Sequence, residues 1–297
     1  MFVIKFLLVL LFYNQFFFAQ IDNKKDSIQI VNLLKKSNEL RLSGNDHEVF
    51  ELITTAQKLC KFNHLDELYF ISTIELADFH IMIGDYKKAN ETFKLISPKS
   101  NYGAKTHSKF YHRKAFYFNQ INRLDSAVFF SNKALKIANE NKLTDDKGTI
   151  YNELANIYEK QGDLKTALEY YNVACEVYKN NLRYYANTHY NKARIFYKLG
   201  NYDKEIALLK ENERAISKTD WHKAKCPIYF YLAQAYFKKK DSLNAYKYLH
   251  LNAQELNEIQ EEEHSTNLNK LIVEYETKEK NAEIIKQKNI ISKNNQQ

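Results

Sequence analysis

The sequence contains few of the residues that interrupt helices. Only 6 of its 297 residues are glycine and 2 are proline, so hairpin-rich β folds would lack their turn residues. Hydrophobic residues make up 44% of the chain and charged residues of both signs make up 27%, which suits helices with one buried and one solvated face. The composition therefore predicts an all-α protein.

Cysteine and the common catalytic motifs are equally scarce. Cys60, Cys175 and Cys226 are widely spaced and form no CxxC motif, which excludes the usual spacing of zinc and redox sites. The favoured interpretation is that each is a small buried hydrophobe, and a disulfide in an oxidising compartment is the alternative. HExxH, GxSxG and phosphate-binding glycine loops are also missing. We therefore expect no enzyme activity, no cofactor and no metal site.

Long apolar runs are confined to the N-terminus. The segment "MFVIKFLLVLLFYNQFFFAQ" places Lys5 before an apolar run and the small residue Ala19 before Gln20, a pattern typical of a secretory signal peptide. An uncleaved membrane anchor is the alternative. No later segment approaches the roughly 18 apolar residues of a membrane helix. We expect residues 1–19 to be a signal peptide, residues 20–26 a short linker, and the mature chain to be exported to the periplasm without a further membrane span.

The net charge of +8 and the pI near 9.0 raise the question of nucleic-acid binding. The basic residues are spread along the whole chain, and no DNA-binding motif is present. The sequence therefore predicts no nucleic-acid partner, and the charge excess provides only a weak attraction to acidic surfaces.

The few glycines mark an internal repeat. In "YEKQGDLKTALEYY" (residues 158–171), Gly162 interrupts a helical pattern, with alanines 7 residues before it and 5 and 12 after it, and an aromatic residue 4 before it. The same frame recurs, most weakly at its first position, around anchors that lie 38 or 40 residues apart. These anchors are Gly44, Gly84, Asn122, Gly162, Gly200 and Lys240. The spacing predicts six consecutive helical hairpins over residues 27–257.

The chemistry of the frame explains its residues. Glycine or asparagine tolerates the left-handed conformation that ends helix A of each hairpin, and the alanines let helix B approach closely. Two positions depart from the frame, with Glu205 where alanine is expected and Lys240 where glycine is expected. The predicted A/B pairs are 27–42/46–61, 66–83/86–97, 105–121/124–140, 145–161/164–180, 183–199/202–217 and 222–239/242–257.

This frame, clearest in "LANIYEKQGDLKTALEYYNVA", resembles the tetratricopeptide repeat, although its period exceeds that family's usual 34 or so residues and its characteristic Trp is missing. The resemblance implies a right-handed superhelical solenoid whose A helices line a concave groove that binds peptides or protein segments. Packing between repeats, or plain solvent exposure, is the alternative role for these inward-facing positions. They are His112, Phe116, Asn119, Asn152, Asn156, Glu159, Tyr190, Arg194, Tyr197, Phe230 and Gln234.

Residues 258–297 are predicted to form a long charged helix. An imperfect heptad seam runs along it and offers a homodimer interface, through Leu268, Leu271, Tyr275, Ala282 and Ile285, with Asn289 at its end. The stretch "YETKEKNAEIIKQKN" resembles the linker of bacterial sensor proteins in which exported tetratricopeptide repeats precede a membrane span and a histidine-kinase or helix-turn-helix output domain.

Two functions follow from these resemblances. The favoured one is a non-enzymatic protein–protein interaction module of the periplasm that forms the sensory part of a signal-transduction protein, tethered to the inner membrane if the chain continues beyond residue 297. The alternative is a stand-alone envelope scaffold or assembly factor without signalling output.

Overall fold

The computed structural model describes residues 25–41, 45–262 and 264–265. Every regular element within these ranges is an α-helix, apart from a single 3₁₀ residue at Arg41, so the predicted all-α class is confirmed. The helices are α1 (25–40), α2 (Asp46–Phe62), α3 (Asp66–Met82), α4 (Tyr86–Lys94), α5 (Ala104–Gln120), α6 (Leu124–Glu140), α7 (Thr144–Gln161), α8 (Leu164–Tyr178), α9 (Leu182–Lys198), α10 (Tyr202–Ile216), α11 (His222–Lys238) and α12 (242–262).

The odd-numbered helices are the A helices of the frame and the even-numbered helices are the B helices. Most bounds lie within two residues of the predicted ones, but α4 is shorter than predicted and α12 extends to residue 262 instead of 257. None of the helices in the described ranges combines the length and the apolar character needed to cross a membrane.

The corners between helix A and helix B have the predicted left-handed backbone. Gly84, Gly162 and Gly200 have φ angles of 77°, 85° and 69°, and Asn122 and Lys240 have φ angles of 58° and 62°. The sixth corner thus keeps the conformation although a lysine occupies it, which costs more than glycine there. Gly44 lies outside the described residues.

Hydrogen bonds close these corners on both sides. At the fourth hairpin, the Gly162 and Asp163 N–H groups donate to the Glu159 and Tyr158 carbonyls at 3.1 and 3.0 Å, satisfying the end of α7. The Asp163 side chain then accepts from the Thr166 N–H at 3.0 Å and caps the start of α8. One tight corner therefore ends one helix and starts the next.

Two corners between successive hairpins also have a left-handed backbone conformation, which the sequence did not predict. His64 and Lys142 have φ angles of 54° and 55° and separate α2 from α3 and α6 from α7. Lysine does not signal a left-handed corner, although histidine adopts this conformation more often than most residues do. The N–H groups of Leu65 and Leu143 close these corners by donating to the carbonyls of Cys60 and Ala138, each at 2.9 Å.

The alanines of the frame lie where the helices meet. They are buried at every frame position that the structure describes, at Ala77, Ala89, Ala115, Ala127, Ala134, Ala155, Ala167, Ala174, Ala193, Ala233 and Ala245. The three cysteines are buried and free, which agrees with their favoured interpretation as small hydrophobes.

The helices divide into two compact units, with the boundary inside α9 between Thr188 and His189. In the first unit, α3 contacts α5 and α5 contacts α7, whereas successive B helices of the same described stretch come together less closely. The A helices therefore form one continuous face, here called the inner face. In the second unit, α10 packs on α11, and Tyr236 of α11 stacks on Tyr248 of α12 with ring centroids 5.6 Å apart.

Gly148 lies inside α7 for a steric reason. A Cβ atom there would lie 2.6 Å from Cζ of Tyr178 and 2.9 Å from Cγ1 of Val177, both at the end of α8. Glycine inside a helix costs about 1 kcal/mol relative to alanine, so the close approach of α8 is what favours glycine at this position.

We expect the substitution Gly148→Ala to destabilise the first unit by about 1–2 kcal/mol, because overpacking against buried Tyr178 outweighs the gain in helix propensity. Thermal unfolding followed by circular dichroism measures the loss. Gly103→Ala is the matched control, since a Cβ there meets only Glu67 Oε1 at 3.4 Å. In a Tyr178→Leu background the penalty should shrink, and an equal penalty in both backgrounds would contradict the steric explanation.

Glu205 of α10 occupies a position where the frame has alanine, and its side chain is buried. Its side chain is fully inaccessible, and neither carboxyl oxygen has a hydrogen-bond partner among the described residues. Burial raises the pKa of Glu205 to about 8. The folded chain therefore holds a proton on this group at neutral pH.

The free energy of unfolding should consequently fall as pH rises between about 4.5 and 8, because the folded state binds the Glu205 proton there and the unfolded state releases it. The slope from this one group is at most about 1.4 kcal/mol per pH unit. Glu205→Ala, which restores the frame, should remove the slope and raise the Tm most at pH 8. Glu205→Gln should also remove the slope, and denaturant melts of either variant that keep the wild-type pH dependence would refute the assignment.

Candidate functional site

Two buried carboxylates occupy the centre of the inner face. Glu75 and Asp78 of α3 have side chains that are 3% and 8% exposed. Arg41, directly after α1, donates to both: its Nη2 lies 2.6 Å from Glu75 Oε2 and 3.0 Å from the Glu75 carbonyl oxygen, and its Nη1 bonds to Asp78. One guanidinium thus links the first hairpin to the second.

Cations from the third hairpin bind the same carboxylates from the other side. Lys109 of α5 donates to Glu75, and Arg113 Nη1 lies 3.6 Å from Asp78 Oδ1. Burial alone would raise the pKa of Asp78, but Arg113 and Arg41 outweigh burial and hold that pKa below its usual value. Asp78 in turn raises the pKa of Arg113. The carboxylates stay ionised, and the charges tie three consecutive hairpins together.

This network was not predicted from the sequence, although the sequence contains a signal for it. The position nine residues before each of the first four anchors holds, in order, Lys35, Glu75, Arg113 and Glu153. Charges at the same position of adjacent repeats alternate in sign, so each A helix presents an opposite charge to the next. The alternation is visible only when the repeats are compared with one another. In a single helix, each of these residues looks like an ordinary charged side chain exposed to solvent.

Three of the predicted inner-face residues take part in packing between helices. Asn119 is buried and donates to Glu153 Oε1 at 2.7 Å, while its carbonyl accepts from Lys160 Nζ at 3.0 Å. Asn156 and Glu159 both accept from the hydroxyl of Tyr171, at 2.7 and 3.1 Å. Asn119 thus has the alternative role of packing between repeats, whereas Asn156 and Glu159 bond within their own hairpin. Contact of these residues with a ligand stays a prediction.

His112, Phe116 and Asn152 remain partly exposed on the A helices of the third and fourth hairpins. Burial, followed by the nearby cations Arg113 and Lys109, lowers the pKa of His112 to about 3. His112 is therefore a neutral imidazole at physiological pH, which can donate and accept one hydrogen bond each. Phe116 packs against the edge of the core cluster of the second and third hairpins.

The predicted residues of the second unit form an aromatic cluster around Tyr231 of α11. The rings of Tyr190 and Tyr197 lie 5.5 and 6.0 Å from the Tyr231 ring, both edge to face. The Arg194 guanidinium lies 6.0 Å from the Tyr190 ring, and burial raises the pKa of the Tyr190 hydroxyl to about 12. This cluster offers the apolar surface of the tyrosine rings together with their polar hydroxyl groups.

The last two predicted residues lie on α11 beside this cluster. Phe230 is 42% exposed and contacts the Tyr231 ring edge to face at 5.6 Å, and Gln234 is partly buried. The predicted seam residues Leu268, Leu271, Tyr275, Ala282 and Ile285 lie outside the described residues, so the seam stays a prediction.

A cavity of about 580 Å³ opens on the inner face of the first unit. Its apolar lining comes from α1 and α3, and its charged lining comes from α1, α3, α5 and the start of α9. The apolar residues are Val31, Leu34, Leu68 and Ile71, and the polar ones are Lys35, Asn38, Glu39, Glu75, Lys109 and Arg183. None of them was among the predicted site residues, which began at the third hairpin.

Some of the polar residues that line the cavity already form ion pairs within the protein, and others do not. Glu75 is held by Arg41 and Lys109, and Lys35 lies 3.9 Å from Glu39 with both side chains well exposed, a pair of little energetic value. Arg183 is exposed and makes no ion pair within the part of the chain that the structure describes. The cavity therefore combines an apolar floor with a cation that is free for a ligand. Within the described ranges, no group of three or more metal-ligating side chains comes together.

Comparison with protein families identifies the repeats directly. The tetratricopeptide repeat family model matches residues 108–180 and 148–215, which cover the third, fourth and fifth hairpins. Comparison with curated protein sequences gives no match.

Solved structures extend the likeness of fold over most of the chain. BtubC (BKLC) from P. vanneervenii superposes with a TM-score of 0.59 at 18% identity, over 79% of this chain and 92% of that one. A STAND protein with a tetratricopeptide repeat sensor, PH0952 from Pyrococcus horikoshii, superposes with a TM-score of 0.66 at 15% identity, over 84% of this chain and 36% of that one. NprR in complex with its cognate peptide NprX superposes with a TM-score of 0.53 at 18% identity, over 76% of this chain and 67% of that one.

The corner geometry, the buried alanines, the family match and these superpositions agree. The chain contains tetratricopeptide repeats, arranged as consecutive helical hairpins.

Proposed function

We propose that the chain is the sensory part of an exported signalling protein and that the cavity of its first unit binds an extended, acidic protein segment. Tetratricopeptide repeats are protein–protein interaction modules, which supports the general activity. The observation that carries the specific proposal is the cavity of about 580 Å³, where an exposed arginine faces an apolar floor.

The size and lining of the cavity suit part of a peptide. A volume of this order lies within the range of ligand pockets, and Val31, Leu34, Leu68 and Ile71 offer apolar surface to one or two hydrophobic side chains. Arg183 can bind a carboxylate with two parallel hydrogen bonds. A segment with an acidic residue next to an apolar one would match both features.

The charge around the cavity supports an acidic ligand. Cations outnumber carboxylates among the charged groups that line the cavity or bond to its lining. The cations are Lys35, Arg41, Lys109 and Arg183, and the carboxylates are Glu39 and Glu75. The potential therefore attracts an acidic segment and speeds its association at low salt.

The structural neighbours agree with peptide binding. NprR is a tetratricopeptide-type relative in fold whose structure contains its cognate peptide NprX, and PH0952 has a repeat domain called a sensor. The sensory role, export through residues 1–19 and transmission through residues 258–297 rest on the sequence patterns. In this proposal the bound segment stabilises one arrangement of the hairpins over another, and the C-terminal segment passes the difference on.

Selection of a random 12-residue peptide library against the purified chain, starting at residue 20, tests the binding proposal. We expect the enriched peptides to carry Asp or Glu beside Leu, Ile or Phe. In fluorescence anisotropy, the double substitution Lys35→Glu and Arg183→Glu should weaken the best peptide at least tenfold, because it reverses two cations of the cavity wall.

Lys165→Glu is the matched control, since it changes the charge of an exposed residue on the B helix α8. This variant should bind the same peptide as well as the wild type does. Enriched peptides without acidic residues, or equal binding by the cavity variant and the control, would refute the proposed site.

A further inference from the structure

The last B helix, α12, differs from the other B helices at two positions of the frame. In the earlier B helices, the side chains nine and sixteen residues after the anchor are buried, wherever the helix is long enough to include these positions. These residues are Ile53, Cys60, Phe93, Ser131, Ala138, Tyr171, Tyr178, Leu209 and Ile216. In α12 the same positions hold Leu249 and Leu256, each 52% exposed.

In the earlier hairpins, the next helix A covers these positions. Ile53 and Cys60 of α2 share a core cluster with Phe79 of α3, and Ala138 of α6 packs with Ile150 of α7. Leu249 and Leu256 are thus apolar, like most residues at the positions that the next helix A covers. In the described part of the chain, however, no helix covers them.

Further apolar side chains extend this surface. Leu243 and Tyr246 are 81% and 72% exposed, and together with Leu249 and Leu256 they define what we call the α12 stripe. Their spacing of three, three and seven residues places them on one side of the helix over about 20 Å. An exposed apolar surface of this kind marks an interaction site.

The chain does not place a seventh A helix over the stripe in the repeat frame. In the five earlier junctions, the next A helix begins 20 or 22 residues after the preceding anchor, at residues 66, 104, 144, 182 and 222. Counting 22 residues from Lys240 gives residue 262, where α12 is still helical without a corner. Any molecule or segment that covers Leu249 and Leu256 as the earlier positions are covered therefore lies outside the described residues.

The sequence after α12 indicates which molecule this is. From Tyr246 the stripe continues at steps of three or four residues through Leu249, Ala253, Leu256, Gln260 and His264, and the same steps lead to the seam residues Leu268, Leu271 and Tyr275, then Ala282 and Ile285. A shallow groove of about 500 Å³ follows this line beside Gln260 and His264. This period includes the polar residues Gln260 and His264 and a step of seven residues between Tyr275 and Ala282. Such an imperfect period is still typical of a surface for helix pairing.

We infer that a second copy of this chain covers the α12 stripe. Self-pairing fits because a two-fold axis places the same apolar surface on both partners. Pairing restricted to the seam would leave Leu249 and Leu256 in water.

Sedimentation velocity of the chain from residue 20 onward, without any peptide, tests this inference independently of the proposed binding site. We expect a dimer at tens of micromolar. The double substitution Leu249→Glu and Leu256→Glu should shift the chain to monomer and weaken association at least tenfold, because it places four carboxylates in an apolar interface. Both leucines are half exposed, so the variant should retain the wild-type circular dichroism spectrum.

Leu95→Glu is the matched control, since Leu95 follows α4 and is 81% exposed. This control should dimerise like the wild type. A wild-type chain that stays monomeric at several hundred micromolar would overturn the inference, and so would a dimer that the stripe variant does not weaken. A monomer whose α12 amides are protected by residues 266–297 would also overturn it, since the chain would then cover its own stripe.

Discussion

The left-handed corner after helix A is the constraint on which the rest of the structure depends. It reverses the chain within two or three residues, so helix B begins close enough to helix A for their alanines to touch. Five described corners share positive φ angles, although two of them use Asn122 and Lys240 rather than glycine. The conformation is thus enforced by the packing of the hairpin as much as by the residue at its corner. Equal spacing of the corners then places the same position of each A helix next to its equivalent in the following repeat.

The sequence was sufficient for the hairpins because their signals are local. A glycine, the alanines 7 residues before and 5 residues after it, and the aromatic residue 4 before it lie within about 13 residues, and each has a direct steric meaning. The corners at His64 and Lys142 were missed because neither residue is a glycine or asparagine, the types by which most of the other corners were found. Helix α12 continues past residue 257 into the segment that was predicted to be helical, because the sequence there contains no residue that stops a helix.

The candidate site was harder to predict because its contacts join residues from different repeats. Arg41 and Glu75 are 34 residues apart, and so are Asn119 and Glu153. No local pattern links such pairs, and predictions made one repeat at a time left out Glu75, Asp78 and Arg113. Asn119, Asn156 and Glu159 were selected as inward-facing residues, yet their polar atoms bond to neighbouring helices. An inward-facing residue of a repeat can therefore either contact a ligand or bond to a neighbouring helix. Its hydrogen-bond partners in the structure show which of the two roles it has.

The charges of the inner face also determine where a ligand can be recognised. Glu75 and Asp78 are surrounded by Arg41, Lys109 and Arg113, and this bonding holds the hairpins in register while leaving those groups with little capacity for a new partner. In the proposed function, recognition falls to groups at the margin of the network, where Arg183 and the apolar residues of α1 lie. The alternation of charge ends in the second unit, where the same position of the frame holds Asn191 and Tyr231. The first unit thus presents charged groups on its A helices, and the second unit presents the aromatic cluster around Tyr231.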